Sequence, residues 1–226
     1  MIHLSERLCR IFEQIPAGAA VCDVGTDHGY LPAALMQSGR ACRVIATDIR
    51  QKPLESARKN LAEFGIQTVE LRLCDGLAAV SLDEVDTVVI AGMGGEVIAG
   101  ILDRARWLQD RKYLLLLQAM TSAEALRLYL AKTGFEIQEE STLSENGKVY
   151  SVIKARFTGK PYDLTEAQYF AGNITVQTPS GRAYLEKQYR RCKECAEQMQ
   201  SAGLTLPEYD RCQKAAEQLF FRLSEE

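Results

Sequence analysis

Ala19–Tyr30, with the sequence AAVCDVGTDHGY, is the stretch that decides the fold. An apolar run leads to Asp23, the chain then turns through Gly25 and Gly29, and LPAALM at 31–36 is typical of the first turns of a helix. A strand, a glycine-bearing turn and a helix form the usual start of a nucleotide-binding α/β unit. Glycine lets backbone N–H groups approach a ligand, and a helix N-terminus attracts polar or anionic atoms. The same glycines would also serve an ordinary tight turn, so they are weak evidence alone.

Two acidic residues distinguish this turn from a pyrophosphate-binding loop. Asp23 ends the predicted strand, and Asp27 stands where a phosphate-binding loop usually has glycine. Two carboxylates so close together would repel a pyrophosphate. They would suit a ligand with a cationic end, such as the amino acid moiety of S-adenosylmethionine. His28 lies in the same turn, where a ligand contact and a capping or packing role are equally expected.

Strand and helix patterns alternate along the next hundred residues. Two further strand patterns, 135–143 and 148–157, flank Asn146-Gly147, which is a strong hairpin signal. We therefore predict an α/β, doubly wound, mostly parallel seven-stranded sheet that ends in an antiparallel hairpin, as in class I methyltransferases. The predicted strands cover 19–23, 43–48, 68–73, 85–91, 113–118, 135–143 and 148–157, and the predicted helices cover 4–15, 30–38, 52–64, 122–132 and a segment ending near 107.

The chain after residue 160 has a helical pattern. A short helix is predicted near 165–171, and apolar residues then recur at three- and four-residue steps over 181–201 and 209–223. Gly203 and Pro207 mark a turn between the two long helices. The sequence predicts a methyltransferase-like domain over 1–160 and a coiled-coil-like helical hairpin domain over 161–226.

Composition limits the possible classes of protein. The chain has 226 residues, of which 46% are hydrophobic and 25% charged, as in ordinary globular proteins. The net charge of −3 does not by itself indicate a nucleic-acid-binding protein. No apolar stretch is long enough to cross a membrane, and MIHLSERLCR is amphipathic rather than a signal peptide.

The seven cysteines are an odd number, which favours reduced thiols in a cytoplasmic protein over a disulfide framework. Cys192 and Cys195, with Cys212 on the next helix, resemble part of a zinc site, but a fourth ligand is missing and the pair lies on the apolar seam. We therefore expect no metal.

Three predicted strand ends carry candidate ligand contacts. Asp48 is placed to accept hydrogen bonds from ribose hydroxyls, although it could also be a solvated acid. Asp75-Gly76 could accept from an adenine amino group or form a simple Asp-Gly turn. The glycines at 92–95 leave room for a flat substrate ring or form a plain strand–helix turn.

Four motifs together resemble the bacterial tRNA adenine-22 N1-methyltransferase family. They are LSERL near the start, DVGTDHGYLP (23–32), CDGL (74–77) and IAGMGG (90–95), and a helical hairpin follows them. The resemblance implies S-adenosylmethionine as methyl donor and N1 of a tRNA adenine as acceptor. Carried over by position, it implies cofactor contacts by Asp23, Gly25, Asp27, His28, Asp48, Asp75 and Gly76, and acceptor contacts by Gly92 and Met93. To these we add Gly29, Ala91 and Gly92 for the cofactor, and Tyr30, Gly94, Arg190, Arg191 and Lys193 for the substrate.

The basic cluster on the first long helix is open to a plainer interpretation. Residues 180–226 contain as many acidic as basic side chains, so a solvated helix face is the default. A tRNA enzyme with a net charge of −3 must concentrate its basic residues on one face.

The implied methyl transfer to adenine N1 needs no strong base from the protein. Adenine N1 keeps an unprotonated lone pair at neutral pH, so positioning supplies most of the acceleration. The product is cationic, and we predict Asp27 as the catalytic residue that stabilises the developing charge. A nicotinamide-dependent oxidoreductase and a non-catalytic S-adenosylmethionine- or RNA-binding module remain alternatives. We further predict a cytoplasmic protein that is a monomer or weak dimer, with tRNA as partner and no membrane association.

Overall fold

Alternating strand and helix patterns produce one seven-stranded sheet followed by a helical segment in the computed structural model, which describes residues 2–202 and 207–224. The strands are β1 Ala19–Val24, β2 Ala41–Asp48, β3 Glu70–Leu73, β4 Thr87–Gly94, β5 Leu114–Thr121, β6 Phe135–Glu145 and β7 Lys148–Phe157. The helices are α1 Glu6–Gln14, α2 Tyr30–Gln37, α3 Gln51–Glu63, α4 Gly95–Arg104, α5 Ala123–Thr133, α6 Glu166–Ala171, α7 Pro179–Ser201 and α8 Pro207–Ser224. A short 3₁₀ turn over Arg106–Leu108 follows α4.

The strands lie in the order β3-β2-β1-β4-β5-β7-β6. The first five are mutually parallel, and β7 lies antiparallel between β5 and β6. The predicted doubly wound, mostly parallel sheet with a terminal hairpin is therefore confirmed. Because the chain order reverses at β1 and β4, a crevice is expected outside the carboxyl ends of these strands.

A helix cap and a hairpin turn both follow from local sequence signals. The Ser5 side chain accepts a hydrogen bond from the backbone N–H of Leu8 and so caps α1. Asn146 and Gly147 have φ values of 51° and 72°, as a two-residue hairpin turn of the primed type requires.

The core forms two apolar layers, one on each face of the sheet. Successive residues of β5 alternate between them: Leu115 and Leu117 pack in one layer, and Leu114 and Leu116 in the other. This is why the central strands have nearly continuous apolar sequences, since strands covered on both faces have no solvent side.

The helical segment has an apolar cluster of its own. Leu185 and Cys192 of α7 meet Cys212 and Leu219 of α8, which confirms the predicted pair of long helices. The prediction of a turn at Pro207 was wrong, because this proline begins α8, where its missing N–H costs no hydrogen bond. The predicted turn residue Gly203 lies outside the described residues. Across 2–202 and 207–224, no helix combines the length and apolar character needed to span a bilayer.

A buried ion pair joins the helical segment to the sheet. Arg127 of α5 is fully buried and donates to Glu140 of β6 over 2.9 Å. Its other nitrogens donate to the backbone carbonyl of Phe170 at 2.9 Å and to the hydroxyl of Tyr184 at 3.0 Å. The two parts of the chain thus share one polar junction, and the domain boundary at residue 160 stays a prediction.

Candidate active site

The predicted acidic residues converge at one edge of the sheet. Asp23 lies one residue before the end of β1, and Asp48 is the last residue of β2. Asp75 follows the end of β3, where the backbone N–H of Cys74 donates to the carbonyl of Asp48 at 3.0 Å. Because β1, β2 and β3 are parallel neighbours, their carboxyl ends form a continuous acidic edge.

The turn after β1 is held tightly against β2. The backbone N–H groups of Gly25 and Thr26 both donate to the carbonyl of Thr47, at 2.8 and 3.0 Å. Gly25 has a φ of 77°, a conformation that glycine adopts without steric cost. The turn is therefore a fixed part of the sheet edge.

Asp27 and Gly29 complete this turn in different ways. Asp27 adopts a φ of 51°, which is uncommon for a residue with a side chain, and its carboxylate is two-thirds exposed. His28 places Nε2 3.5 Å from the Asp27 carboxylate and contacts the ring of Tyr30. Gly29 precedes α2, and a Cβ there would press on Ala57 of α3. The acid thus projects into solvent beside the turn.

Asp23 has the most perturbed carboxyl group of the site. Its side chain is only 7% exposed. Burial raises its pKa to about 6, and the nearby charge of Asp48 adds to the rise, while the Thr26 hydroxyl opposes it. A buried carboxylate without a cationic partner is costly, so this group is suited to receive a positively charged ligand atom.

Met93 connects the turn to the end of β4. A Cβ added to Gly25 would collide with the Cε methyl of Met93. The absence of a side chain at Gly25 therefore lets Met93 lie directly over the turn. The predicted cofactor side and the predicted acceptor side meet at this contact.

The end of β4 is a bulged strand that continues past the predicted strand end at Ala91. The strand continues to Gly94, but its pairing with β5 shifts on either side of Met93. Gly92 has a φ of 82°, and its N–H donates to the Gln118 side-chain oxygen at 3.1 Å. At the bulge, the buried Gln118 side chain therefore satisfies the backbone N–H of Gly92.

Arg7 of α1 is a site residue that the sequence prediction missed. Its Nη1 donates to the Gln118 oxygen over 3.4 Å and lies 3.3 Å from the sulfur of Met120. The same nitrogen is 3.2 Å from the position that a Cβ on Gly92 would occupy. A single amide after LLLL in β5 was the available signal for Gln118, but no local pattern links Arg7 to it.

Asp75 and its neighbours differ from the other strand ends. The Asp75 carboxylate is more than half exposed and pairs with Arg104 at 3.0 Å. The carbonyl of Gly76 accepts from the buried hydroxyl of Thr47 at 2.9 Å. Two apolar side chains, Ile49 at 64% and Leu73 at 55% exposure, lie uncovered beside these acids. Acidic and apolar groups therefore alternate along this edge.

The three residues of the predicted basic cluster, Arg190, Arg191 and Lys193, have different surroundings. Arg191 pairs with Glu124 in the first turn of α5 at 2.6 Å. The Arg191 side chain is half exposed, and that of Glu124 is mostly buried. Lys193 lies 3.9 Å from Glu197, and Arg190 is exposed. Since α5 begins directly after β5, the Arg191 contact brings α7 to the carboxyl edge of the sheet.

Cys192, Cys195 and Cys212 of the helical hairpin lie close together as free thiols. The sulfur atoms of Cys195 and Cys212 are 3.2 Å apart, and Cys192 is fully buried. Burial raises the pKa values of Cys192 and Cys212 to about 12, which keeps these thiols protonated. Over residues 2–202 and 207–224, no group of three or more histidine, cysteine or acidic side chains is arranged to hold a metal ion.

Comparison with known proteins places the chain among methyltransferases. The family model described as "Methyltransferase domain" matches residues 4–153. The tRNA (adenine(22)-N(1))-methyltransferase of Bacillus subtilis is 36% identical over 155 residues, which are 68% of this chain and 65% of that protein. The match thus spans slightly less than two thirds of this relative.

Solved structures extend the likeness to almost the whole chain. A putative tRNA (m1A22) methyltransferase from Streptococcus pneumoniae has a TM-score of 0.83 and 28% identity, and the match covers 98% of this chain and 100% of the other. TrmK of M. capricolum, solved with S-adenosyl-homocysteine, has a TM-score of 0.78 and 27% identity, with 98% of each chain covered. The chain therefore belongs to the methyltransferase-domain family, and the resemblance to the bacterial tRNA adenine-22 N1-methyltransferases is confirmed as homology.

Proposed function

We propose that this protein is an S-adenosylmethionine-dependent methyltransferase that acts on N1 of an adenine in tRNA, adenine 22 by its similarity to the relatives above. The observation that carries the proposal is the contact between Gly25 and Met93. It joins an acidic sheet edge, suited to a cationic cofactor, to a glycine-lined strand end that carries no acidic side chain.

The residues of the acidic edge fit the cofactor. Asp23 is buried and has no cationic partner in the described part of the chain, so it would accept the cofactor's ammonium group. Asp48 would accept from the ribose hydroxyls, and the exposed side chains of Ile49 and Leu73 offer apolar contacts for adenine. Asp75 would accept a hydrogen bond from the adenine amino group while it remains paired with Arg104. S-adenosylmethionine supplies an electrophilic methyl group on a positively charged sulfur.

The acceptor side works by position rather than by acid–base chemistry. Adenine N1 has a free lone pair at neutral pH, so no base has to remove a proton before transfer. The acceptor ring would lie beside Met93, where Gly92 and Gly94 carry no side chains and Arg7 Nη1 borders Gly92. Tyr30 is an exposed aromatic neighbour of the turn. Alignment of two reactants can lower a barrier by about 7 kcal/mol or more. Asp27 would stabilise the charge that develops on the adenine.

The helical hairpin is proposed to hold the tRNA near this edge. The Arg191–Glu124 pair puts α7 next to the start of α5. A Cβ on Gly95 of α4 would collide there with the carbonyl of Ser122, so α4 and α5 begin close together. Arg190 and Lys193 are exposed on the same helix as Arg191 and would add two positive charges for tRNA phosphates. In this role the protein would act in the cytoplasm as a monomer or weak dimer.

The test is methylation of an unmodified tRNA transcript with radiolabelled S-adenosylmethionine, followed by nucleoside analysis. We expect label in N1-methyladenosine and none when adenine 22 is replaced by guanine. Label in another nucleoside would refute the assignment to N1. Binding of cofactor and tRNA without transfer would favour the non-catalytic module, and reduction of a nicotinamide cofactor would favour the oxidoreductase.

A further inference from the structure

Arg7 is a cation without an acidic partner at the acceptor end of the site. Within residues 2–202 and 207–224, its guanidinium contacts only neutral atoms, the Gln118 oxygen and the Met120 sulfur. Its Nε is buried and has no hydrogen-bond partner among the described residues. The carboxylate of Glu145 accepts from the backbone N–H of Arg7 at 3.2 Å rather than from its guanidinium. The positive charge is therefore available to a ligand.

Gln118 fixes this charge relative to the acceptor strand. Its side chain is fully buried, and its Nε2 donates to the carbonyl of Ala119 at 2.7 Å. That bond orients the amide so that its oxygen accepts from both Gly92 and Arg7. One buried amide thus sets both the shape of the bulge and the position of the guanidinium, which is preorganisation of the kind that ligand sites require.

The chemistry of the reaction excludes the acceptor ring itself as the partner of this charge. Methylation makes the adenine cationic, and a guanidinium close to N1 would oppose that change. A phosphate beside the acceptor nucleotide is the remaining anionic group of tRNA. A guanidinium donates charge-assisted hydrogen bonds to phosphate oxygens, and Nη2 is the terminal nitrogen that takes no part in the contacts given above.

We propose that Arg7, oriented by Gln118, binds a backbone phosphate next to the acceptor adenine and so positions that nucleotide beside Gly92 and Met93. The inference rests on the proposed function and adds a substrate contact to it. Arg7 is a substrate-binding residue in this scheme, and Gln118 is a positioning residue that acts through it.

The test compares Arg7→Ala with Arg10→Ala. Both changes remove one arginine from α1, but Arg10 is exposed and pairs with Glu13 within the same helix. We expect Arg7→Ala to lower kcat/KM for tRNA by about tenfold to a hundredfold, as for a lost charged hydrogen bond, and Arg10→Ala to change it less than twofold. Calorimetric affinity for S-adenosyl-homocysteine should stay the same in both. Arg7→Lys should recover part of the loss, since it keeps the charge but not the planar fork.

A phosphate contact has a signature that a structural role lacks. The plot of log affinity for tRNA against log salt should lose close to one unit of slope in Arg7→Ala and none in Arg10→Ala. A tRNA with an uncharged methylphosphonate at the contacted position should weaken the wild type and leave Arg7→Ala unaffected.

Two outcomes separate the inference from the proposed function. A wild-type protein that transfers no methyl group to tRNA would overturn both. A wild type that methylates adenine 22, with an Arg7→Ala variant that matches Arg10→Ala in kcat/KM and salt slope, would overturn only the role of Arg7. If Arg7→Ala does not fold, as seen by circular dichroism, the Arg7→Lys variant decides. A wild-type kcat/KM for tRNA in Arg7→Lys, with inorganic phosphate inhibiting the variant as strongly as the wild type, would refute a contact that depends on the guanidinium.

Discussion

Replacing Asp23 with asparagine should stabilise the free protein and abolish most cofactor binding. Burial raises the Asp23 pKa from its usual value near 3.8 to about 6. A difference of about two pKa units corresponds to about 3 kcal/mol of destabilisation by the ionised carboxylate at neutral pH, at 1.36 kcal/mol per unit. An asparagine amide also loses hydration on burial, so the net gain should be about 1–3 kcal/mol.

The pH dependence of this gain follows from the direction of the shift. Because folding raises the pKa, the folded state binds protons more tightly than the unfolded state between about pH 4 and pH 6. The cost of the ionised group therefore grows as the pH rises through that window and is constant above it. From the two pKa values, the cost should be about 1.4 kcal/mol larger at pH 8 than at pH 5, and Asp23→Asn should remove this difference.

Chemical denaturation of the wild type and the Asp23→Asn variant at pH 5 and pH 8 measures both quantities. A gain of about 1–3 kcal/mol corresponds to roughly 2–10 °C in melting temperature for a chain of this size. Asp75→Asn is the matched control, since its exposed ion pair with Arg104 contributes about 0–1 kcal/mol. Calorimetry with S-adenosyl-homocysteine should show loss of affinity for Asp23→Asn. Equal stability changes at both pH values, or unaltered cofactor affinity, would refute the electrostatic reasoning.

Three further variants test the other predicted contacts. Asp48→Ala should weaken cofactor affinity about tenfold or more in calorimetry, because hydrogen bonds to a charged group contribute about 1.5–3 kcal/mol; unchanged affinity would remove Asp48 from the site. Asp27→Asn should lower kcat with a smaller effect on cofactor affinity, whereas lost affinity with normal kcat at saturation would make Asp27 only a cofactor ligand. Changing Arg190 and Lys193 together to alanine should weaken tRNA binding and flatten its salt dependence, while Arg191 is left intact because it pairs with Glu124. Light scattering that shows a changed mass with intact tRNA affinity would assign the hairpin to self-association.

The sequence was sufficient to predict the elements whose signals are local. The acids at strand ends, the Asn146-Gly147 turn and the apolar strands all owe their structure to neighbouring residues and to burial on both faces. The ends of β1 to β3 could therefore be placed together before any coordinates, because parallel strands in an alternating fold must align their carboxyl ends.

The acceptor side could not be predicted in the same way. The bulge at Gly92 depends on an amide of a different strand, Gln118, and Arg7 reaches that amide from a helix 111 residues earlier. A glycine run is compatible with a turn, a bulge or an extended strand, and only the tertiary hydrogen bond selects among them. Arg7 is also polar on an amphipathic helix, where a solvated position is the ordinary expectation.

The charged side chains at the carboxyl ends of the strands match the movement of charge in the proposed reaction. Methyl transfer moves a positive charge from the sulfur of the cofactor to the adenine. Carboxylates lie at the ends of β1, β2 and β3. The end of β4 consists of glycines and Met93, with Arg7 Nη1 next to Gly92 and Glu96 following in the first turn of α4. A cation beside the buried Asp23 would weaken cofactor binding, and an acid in place of Arg7 would repel the tRNA backbone. Reversing the Arg7 charge with Arg7→Glu should therefore depress kcat/KM for tRNA more than Arg7→Ala does, with cofactor affinity unchanged. Equal effects of the two substitutions would mean that packing, rather than charge, explains the arginine.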